Sequence, residues 1–526
     1  MNLSAALEGF TLTMRPWSFG VLLCFLEAFG CGGPGSRDRA LSADVPLHLE
    51  KNLDAAYRAS RTLSGKSTTE KPNIIFYVID GAAAEFMSVY GYERRTTPYL
   101  ERLAAEGAVF ENAYSNSSRT KVSVPSFMTS LHSSVMGGSR SGSDPLPLQA
   151  VTMAERMHRA GYITEVLTSN PYCGRMNGLD RGVDIIRDTW RTNERPSSAD
   201  LHGEFWRLRE AFPGEPYWVH FQPTDVHQPW LATAVSARRS SRPRDRLAFG
   251  DMLEKIIWDP ARSYEESIEE SGVDRGLFFE TTRQLYDKGM ACQDRAIGKL
   301  VEGLKKRGDW ENTLFIVAAD HGHVAAGLPL LDPKAPRWDA PLFAAQKSRI
   351  PMIYVWPGKI APGQRFAQPV SMIDMLPTIL DLAGLPGPKV VQGQSLAPLL
   401  LGKSGWRQRP VVFDEFEVDD GHLFGSIEVI DGRWGASLRI DLRPDDRKTR
   451  RDRLRPAPLL VFDIQEDPHA FRSLHGERPD LVEKYMKMLH RIWKEHRALA
   501  GKFNRASRVP LAPDQVEALR SLGYLR

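Results

Sequence analysis

TLFIVAADHGH, residues 313 to 323, carries the architecture of this chain. An apolar, β-branched run stops on Asp320 and His321, and a carboxylate beside an imidazole at the carboxyl end of a buried strand lies where an open α/β sheet keeps its ligands. Gly322 follows and lets the backbone turn away. The stretch reads as half of a metal site.

The same design recurs upstream. NIIFYVID ends on Asp80, and TTPYLERLAAEG then offers a threonine cap at Thr97, Pro98 at the first helical position and a stop at Gly107. MAERMHRAGYITEVLTSN, YWVHFQP, a helical pattern from about Phe279 to Lys306, the Asp320 strand and IPMIYVW continue the alternation. Strands alternating with helices predict an α/β fold, a mostly parallel sheet flanked by helices, over residues 72–400. Past Leu400, PVVFDEFE, LFGSIEVIDGRWGASLRI with a turn at Asp431 and Gly432, and PLLVFDI read as antiparallel strands before a charged helix from about Asp480 to Leu499. Residues 401–526 are thus expected to form a smaller C-terminal α+β subdomain.

The 526 residues, 42% hydrophobic and 25% charged, are enough for one large core and a smaller unit. Sixty-nine basic against 65 acidic residues, a net charge of +4, is too balanced for a nucleic-acid partner. ARRSSRPRDR from Ala237 and RKTRRDRLR from Arg447 read as solvated loops. At the start, Arg15 precedes the apolar WSFGVLLCFL, and EAFGCGG places small residues around Cys31. Residues 1–31 therefore read as an export segment of lipoprotein type, with a membrane tether through Cys31; an uncleaved anchor or a plain secretory signal is the alternative. The protein is expected to be exported, periplasmic or at the cell surface. Residues 32–71 are polar and read as a stalk. Of the cysteines beyond it, Cys173 and Cys292 are too few for a disulfide framework, and whether they pair is open.

Four places carry candidate chemistry. Asp80 ends its strand in the ligand crevice, although a strand-to-turn cap would look the same. In SVPSF, Pro125 is predicted to open a helix with Ser123 just before it as nucleophile; serine and proline also begin helices for capping alone. His227 stands in FQPTDVHQPW, a loop held extended by proline on both sides. Asp320 and His321 offer an oxygen and a nitrogen, which suit zinc or manganese better than calcium.

These segments, in this order, resemble the sulfatase and alkaline phosphatase superfamily. PNIIFYVIDG followed by YGYERRTTPYLERLAAEGAVFENAYSNS is similar to the opening of a sulfatase domain, SVPSF falls at the nucleophile motif, and DVHQP falls at an active-site histidine. LYDKGMACQDRAIGKLVEGLKKRGDWENTLFIVAADHG is similar to the long helix and metal strand. IPMIYVWPGKIAPGQRFAQPVSMIDMLPTILDLAGLPGPKVVQGQSLAPLLLG is similar to the segment closing the catalytic domain, and LVFDIQEDPHAFRSL and LRSLGYLR to the C-terminal elements. The resemblance implies an alkaline-phosphatase-like fold and a metal-assisted displacement on a sulfate or phosphate ester. Asp80, Asp320 and His321 would hold the metal, Ser123 would be the nucleophile bound to it, and His227 would bind the anion or protonate the leaving group. Asp294 matches a packing or capping position.

Departures from the family pattern are informative. Formylglycine maturation needs an arginine where Phe127 stands, which argues against that cofactor. Gly81 replaces the second of two adjacent aspartates and His321 replaces an asparagine, which moves the site from calcium toward zinc or manganese. Ala340 stands at the place of the anion-clamping lysine, with Lys334 near enough to substitute, and Pro329 falls where a second histidine belongs, with His323 as compensation. Lys121, His323 and Lys334 are the candidate substrate-binding residues. Three readings are open: a sulfatase-family hydrolase, a phosphoethanolamine- or phosphoglycerol-type transferase using one zinc or manganese ion, and a non-catalytic anion binder. The expected partner is a sulfated or phosphorylated small molecule, glycan or lipid. The stretch from Trp230 to Glu280 is the expected substrate rim.

Overall fold

Strand β1 (Asn73–Ile79) is apolar without alternation because it is covered on every side: all of its residues but Asn73 are buried, and parallel neighbours flank it at both edges. A computed structural model describes the chain over residues 71–140, 144–188, 196–227, 274–323, 341–419, 421–442 and 458–504. The remaining strands of the main sheet are β2 (Ala108–Phe110), β3 (Ile163–Thr168), β4 (Ile185–Arg187), β5 (Tyr217–Gln222), β6 (Thr313–Ala319), β7 (Met352–Val355) and β8 (Gln364–Phe366). Their order is β8-β2-β7-β6-β1-β5-β3-β4.

The sheet is mostly parallel, as the alternation predicts. The exception is β7, the IPMIYVW strand, which runs antiparallel to both β2 and β6. Two helices on one face show how the layers lock. Helix α1 (Pro98–Ala105) and α3 (Ser198–Ala211) both pack on α4 (Arg275–Arg307), a 33-residue helix that covers the sheet between them. Thr97 occupies the N-cap position of α1 but its hydroxyl does not cap. That hydroxyl instead accepts the Val89 N–H, and the orphan N–H groups of Tyr99 and Leu100 go to the Asp294 carboxylate on α4 at 2.9 and 2.8 Å. Capping from a distant helix ties α1 to α4.

Helix α2 (Thr120–Thr129) corrects a second expectation. Pro125 does not open it but lies inside it, and the helix begins five residues earlier, where the Arg119 carbonyl accepts the N–H groups of Val122 and Ser123. The start is fixed by the C-terminal subdomain. That unit is a four-stranded antiparallel sheet, β9 (Val411–Asp419), β10 (His422–Asp431), β11 (Trp434–Leu442) and β12 (Leu460–Asp463), with helix α5 (Pro479–Ala500) burying Leu481, Tyr485, Leu489, Ile492 and Trp493 on its inner face. Glu415 of β9 reaches the segment before α2, accepting from the Ser117 hydroxyl at 2.6 Å and the Ser118 N–H at 2.9 Å and pairing with Arg119. Asp414 beside it accepts the N–H groups of Ser133 and Ser134 at 2.8 and 3.0 Å, at the next helical turn.

Cys173 is a buried free thiol, so it does not pair with Cys292. Among the described residues no helix is long and apolar enough to cross a membrane. The export segment with Cys31, the stalk up to residue 70, both basic clusters, most of the expected rim, Pro329, Lys334 and Ala340 lie outside the described residues.

Candidate active site

Strands β1 and β6 are parallel and in register, with Ile79 opposite Ala319, so the next residue of each, Asp80 and Asp320, emerges side by side at the carboxyl edge. Both are fully buried. Asp320 Oδ1 accepts the N–H groups of Gly81 and His321, each at 3.0 Å. Gln222, the last residue of β5, donates from one nitrogen to Asp80 Oδ2 at 2.9 Å and Asp320 Oδ2 at 3.0 Å. Asn170, just past β3, donates to Asp80 Oδ2 at 2.7 Å. Asp80 Oδ1, equally buried, makes no hydrogen bond among the described residues. A carboxylate oxygen left bare in the interior is costly unless a cation completes it.

Imidazoles stand beside the two carboxylates. His227 Nε2 is 3.8 Å from Asp80 Oδ1, and His321 Nε2 is 3.5 Å from Asp320 Oδ2. Asp80, His227 and His321 each present a ligand atom within 4.8 Å of the others. Gly81 sits at φ +70, and a Cβ there would meet the rings of His227, His323 and His321 at 3.5, 3.6 and 3.8 Å. The space into which a second aspartate would project is filled by imidazoles. This donor set fits a divalent cation, and its nitrogen content suits a borderline-soft one. The loop bearing His227 is fixed by Asp225, which accepts the N–H and the hydroxyl of Ser198 at the start of α3 at 3.0 and 2.7 Å. The family resemblance gives His227 to the anion or the leaving group; its nitrogen stands with the carboxylate as well.

Hydrogen bonding settles the tautomer of His321. Its Nδ1 is 2.7 Å from the Gly322 carbonyl, which can only accept, so Nδ1 carries a proton and in the neutral ring Nε2 is the lone-pair side. Facing Nε2 at 3.0 Å is the hydroxyl of Thr120, the first residue of α2, which Asn170 also approaches at 3.4 Å. Ser123 lies one turn further in. It is fully buried and its hydroxyl makes no hydrogen bond among the described residues. Gly322 permits the turn because a Cβ would stand 2.3 Å from the Gln346 carbonyl.

Charge is held in tension here. Burial, and then the neighbouring Asp80 charge, push the Asp320 carboxyl up to about 6. Burial opposes protonation of His321, but the carboxylates of Asp320 and Asp80 outweigh it and hold the imidazole above its ordinary value. Two buried carboxylates side by side carry excess negative charge of the kind a divalent cation neutralises.

Lys121, expected at the substrate, donates to the Arg140 carbonyl and lies 5.5 Å over the Tyr172 ring. His323 is nearly buried, with its ring 6.1 Å from that of His227 and 5.8 Å from that of Tyr286. Phe127, at the place of the maturation arginine, is a core residue packed edge-on to Phe76 at 5.6 Å and to His220 at 6.1 Å. Sequence reasoning alone misses Thr120, Asn170 and Gln222. A threonine in a run of hydroxyls, an asparagine ending VLTSN and a glutamine ending YWVHFQ are the signals of a helix start and two strand ends that could have found them.

With this geometry, similarity to known proteins becomes interpretable. The Sulfatase family profile matches residues 72–385, more than half of the chain. Human arylsulfatase A is 26% identical over 458 residues, covering 78% of this chain and 85% of its own length. The arylsulfatase of Clostridium perfringens is 23% identical over 492 residues, covering 79% and 94%. The crystal structure of the phosphonate monoester hydrolase of Agrobacterium radiobacter superposes with a TM-score of 0.60 at 17% identity, covering 84% of this chain and 100% of that one. The chain belongs to the sulfatase family, as an enzyme of the sulfuric ester hydrolase type.

Proposed function

We propose that this protein is a metal-dependent hydrolase of sulfate or phosphate esters whose nucleophile is the hydroxyl of Thr120 rather than that of Ser123. One observation carries the reading: the Thr120 hydroxyl, at the first residue of a helix, faces His321 Nε2 at 3.0 Å beside the buried carboxylates, whereas the Ser123 hydroxyl has no hydrogen-bond partner among the described residues. Asp80, His227 and His321, with Asp320 beside them, would hold the cation, zinc or manganese on their donor chemistry. When bound, the cation supplies a lowered hydroxyl pKa and neutralises charge on the ester oxygens.

The chain's own groups do the rest. Asn170 orients the Thr120 hydroxyl, which gives its proton to water as its oxygen bonds to sulfur or phosphorus and the ester's alcohol oxygen departs. We assign the departing oxygen's proton to His323, the imidazole nearest His227. Water then cleaves the threonine ester, releasing sulfate or phosphate and restoring the hydroxyl. With Phe127 locked in the core, no arginine supports formylglycine maturation at this motif. The arylsulfatase relatives favour a sulfate ester, and the export reading of residues 1–31 puts it outside the cytoplasm. The test is hydrolysis of an aryl sulfate and an aryl phosphate by the manganese- and zinc-loaded protein, with peptide mass spectrometry of acid-quenched turnover. Loss of turnover on chelation and a sulfuryl or phosphoryl adduct on Thr120 are expected. Full activity without metal, or an adduct on Ser123, overturns the reading.

A further inference from the structure

Gln222 has a place between the carboxylates that its sequence position does not announce. It ends β5, is fully buried, and its single Nε2 stands 2.9 Å from Asp80 Oδ2 and 3.0 Å from Asp320 Oδ2. The orientation of the amide follows from chemistry. Ionised carboxylates only accept, so the NH2 end must face them, and the Oε1 end then faces His220 Nε2 at 3.1 Å. Burial pushes the His220 imidazole down to about 3, so the ring is neutral and donates that proton to the amide oxygen. Both ends of the side chain are therefore pinned.

The distances have a second meaning. Oxygen ligands about 2.1 Å from an octahedral divalent ion lie about 3 Å from one another along each edge. Asp80 Oδ2 and Asp320 Oδ2 stand at that spacing from the Gln222 head, so an oxygen in place of the nitrogen would share a ligand edge with each of them at a second cation site. Gln222 offers N–H groups there instead.

We propose that Gln222 is a positioning residue that restricts the centre to one divalent cation. Its two N–H bonds use the lone pairs of Asp80 Oδ2 and Asp320 Oδ2 that would otherwise bridge a second ion, and leave Asp80 Oδ1 turned toward His227. Asn170 completes the same oxygen of Asp80 and reinforces the orientation. The inference rests on the metal-dependent reading above.

The test loads the full-length protein with manganese, measures ions per chain by emission spectrometry after gel filtration, and measures affinity by titration against a chelating indicator. The wild type is expected to hold one ion per chain with an uncoupled electron paramagnetic resonance spectrum. Gln222→Glu, the same size with an oxygen at the vertex, is expected to take up a second ion and to show spin coupling between the two. Gln222→Met keeps the volume and removes the donors, and is expected to bind the single ion roughly ten- to a hundredfold more weakly. Two ions in the wild type, or a folded Gln222→Glu protein that takes only one, overturns the proposal. If Gln222→Glu does not fold, by near-ultraviolet circular dichroism, Gln222→Met decides, and affinity within twofold of wild type overturns it. No ion bound by the wild type refutes the metal-dependent reading itself, a distinct outcome.

Discussion

Exchanging the two hydroxyls of α2 should give opposite results. Thr120→Ala removes an oxygen that faces His321 at 3.0 Å and Asn170 at 3.4 Å, so it should lower kcat by a factor on the order of ten thousand or more, at least about 5 kcal/mol of barrier. Its effect on folding is small, about 1 kcal/mol for the lost hydrogen bonding. Thr120→Ser keeps the oxygen and gives up one methyl, worth about 0.8 kcal/mol of burial, and should retain kcat within roughly tenfold. Ser123→Ala deletes a buried hydroxyl that makes no hydrogen bond among the described residues. Its desolvation is uncompensated, so the variant should be as stable as wild type or about 1 kcal/mol more stable, with kcat unchanged. Saturating turnover of an aryl sulfate with manganese present gives the kinetic half, and urea midpoints at constant slope give the stability half. A Ser123→Ala protein that is folded and inactive beside an active Thr120→Ala protein would sink the assignment of the nucleophile.

Two further outcomes follow from buried carboxylates elsewhere in the fold. Asp414 accepts two N–H groups and lies between the imidazoles of His132 and His496; burial disfavours its charge, yet the two rings outweigh burial and hold its carboxyl well below the usual range. Asp414→Asn should therefore cost about 3–5 kcal/mol by urea denaturation at pH 7, and the Asp414 contribution should be lost only as pH falls below about 4; a cost under about 1 kcal/mol would show that the rings do not use its charge. Asp294 has the opposite sign. Burial pushes its carboxyl up to about 6 against about 4 when unfolded, so its contribution is full below about pH 4 and is lost as pH rises through about 6, by roughly 2–3 kcal/mol. Across that window the stability of Asp294→Asn should fall less steeply than that of wild type, and parallel curves would contradict the assignment.

Which parts of the molecule are legible in the chain has a physical logic. NIIFYVI and TLFIVAA read as buried strands because each is covered on both faces, which erases alternation, and their closing aspartates follow from where such sheets keep ligands. The start of α2 is not legible in this way. Serine before proline is a sound local signal for a helix start, but the helix begins at Thr120 because Glu415, 298 residues away, holds Ser117 and neighbouring groups in the turn that precedes it. That displacement moves the candidate nucleophile from Ser123 to Thr120. Thr97 fails as a cap for the same kind of reason, since the N–H groups of Tyr99 and Leu100 go to the Asp294 carboxylate, 195 residues beyond Tyr99.

The layered α/β class, the antiparallel C-terminal unit, the aspartates of the site and its shift toward nitrogen donors are all written along the chain, because hydrophobic runs and residue chemistry are local. It takes the folded molecule to show which hydroxyl meets His321, that His227 stands with Asp80, and that Gln222 spans the two carboxylates. Those are questions of which buried polar atom finds a partner, and partners are supplied by strand ends that register and loop packing bring together from distant parts of the chain.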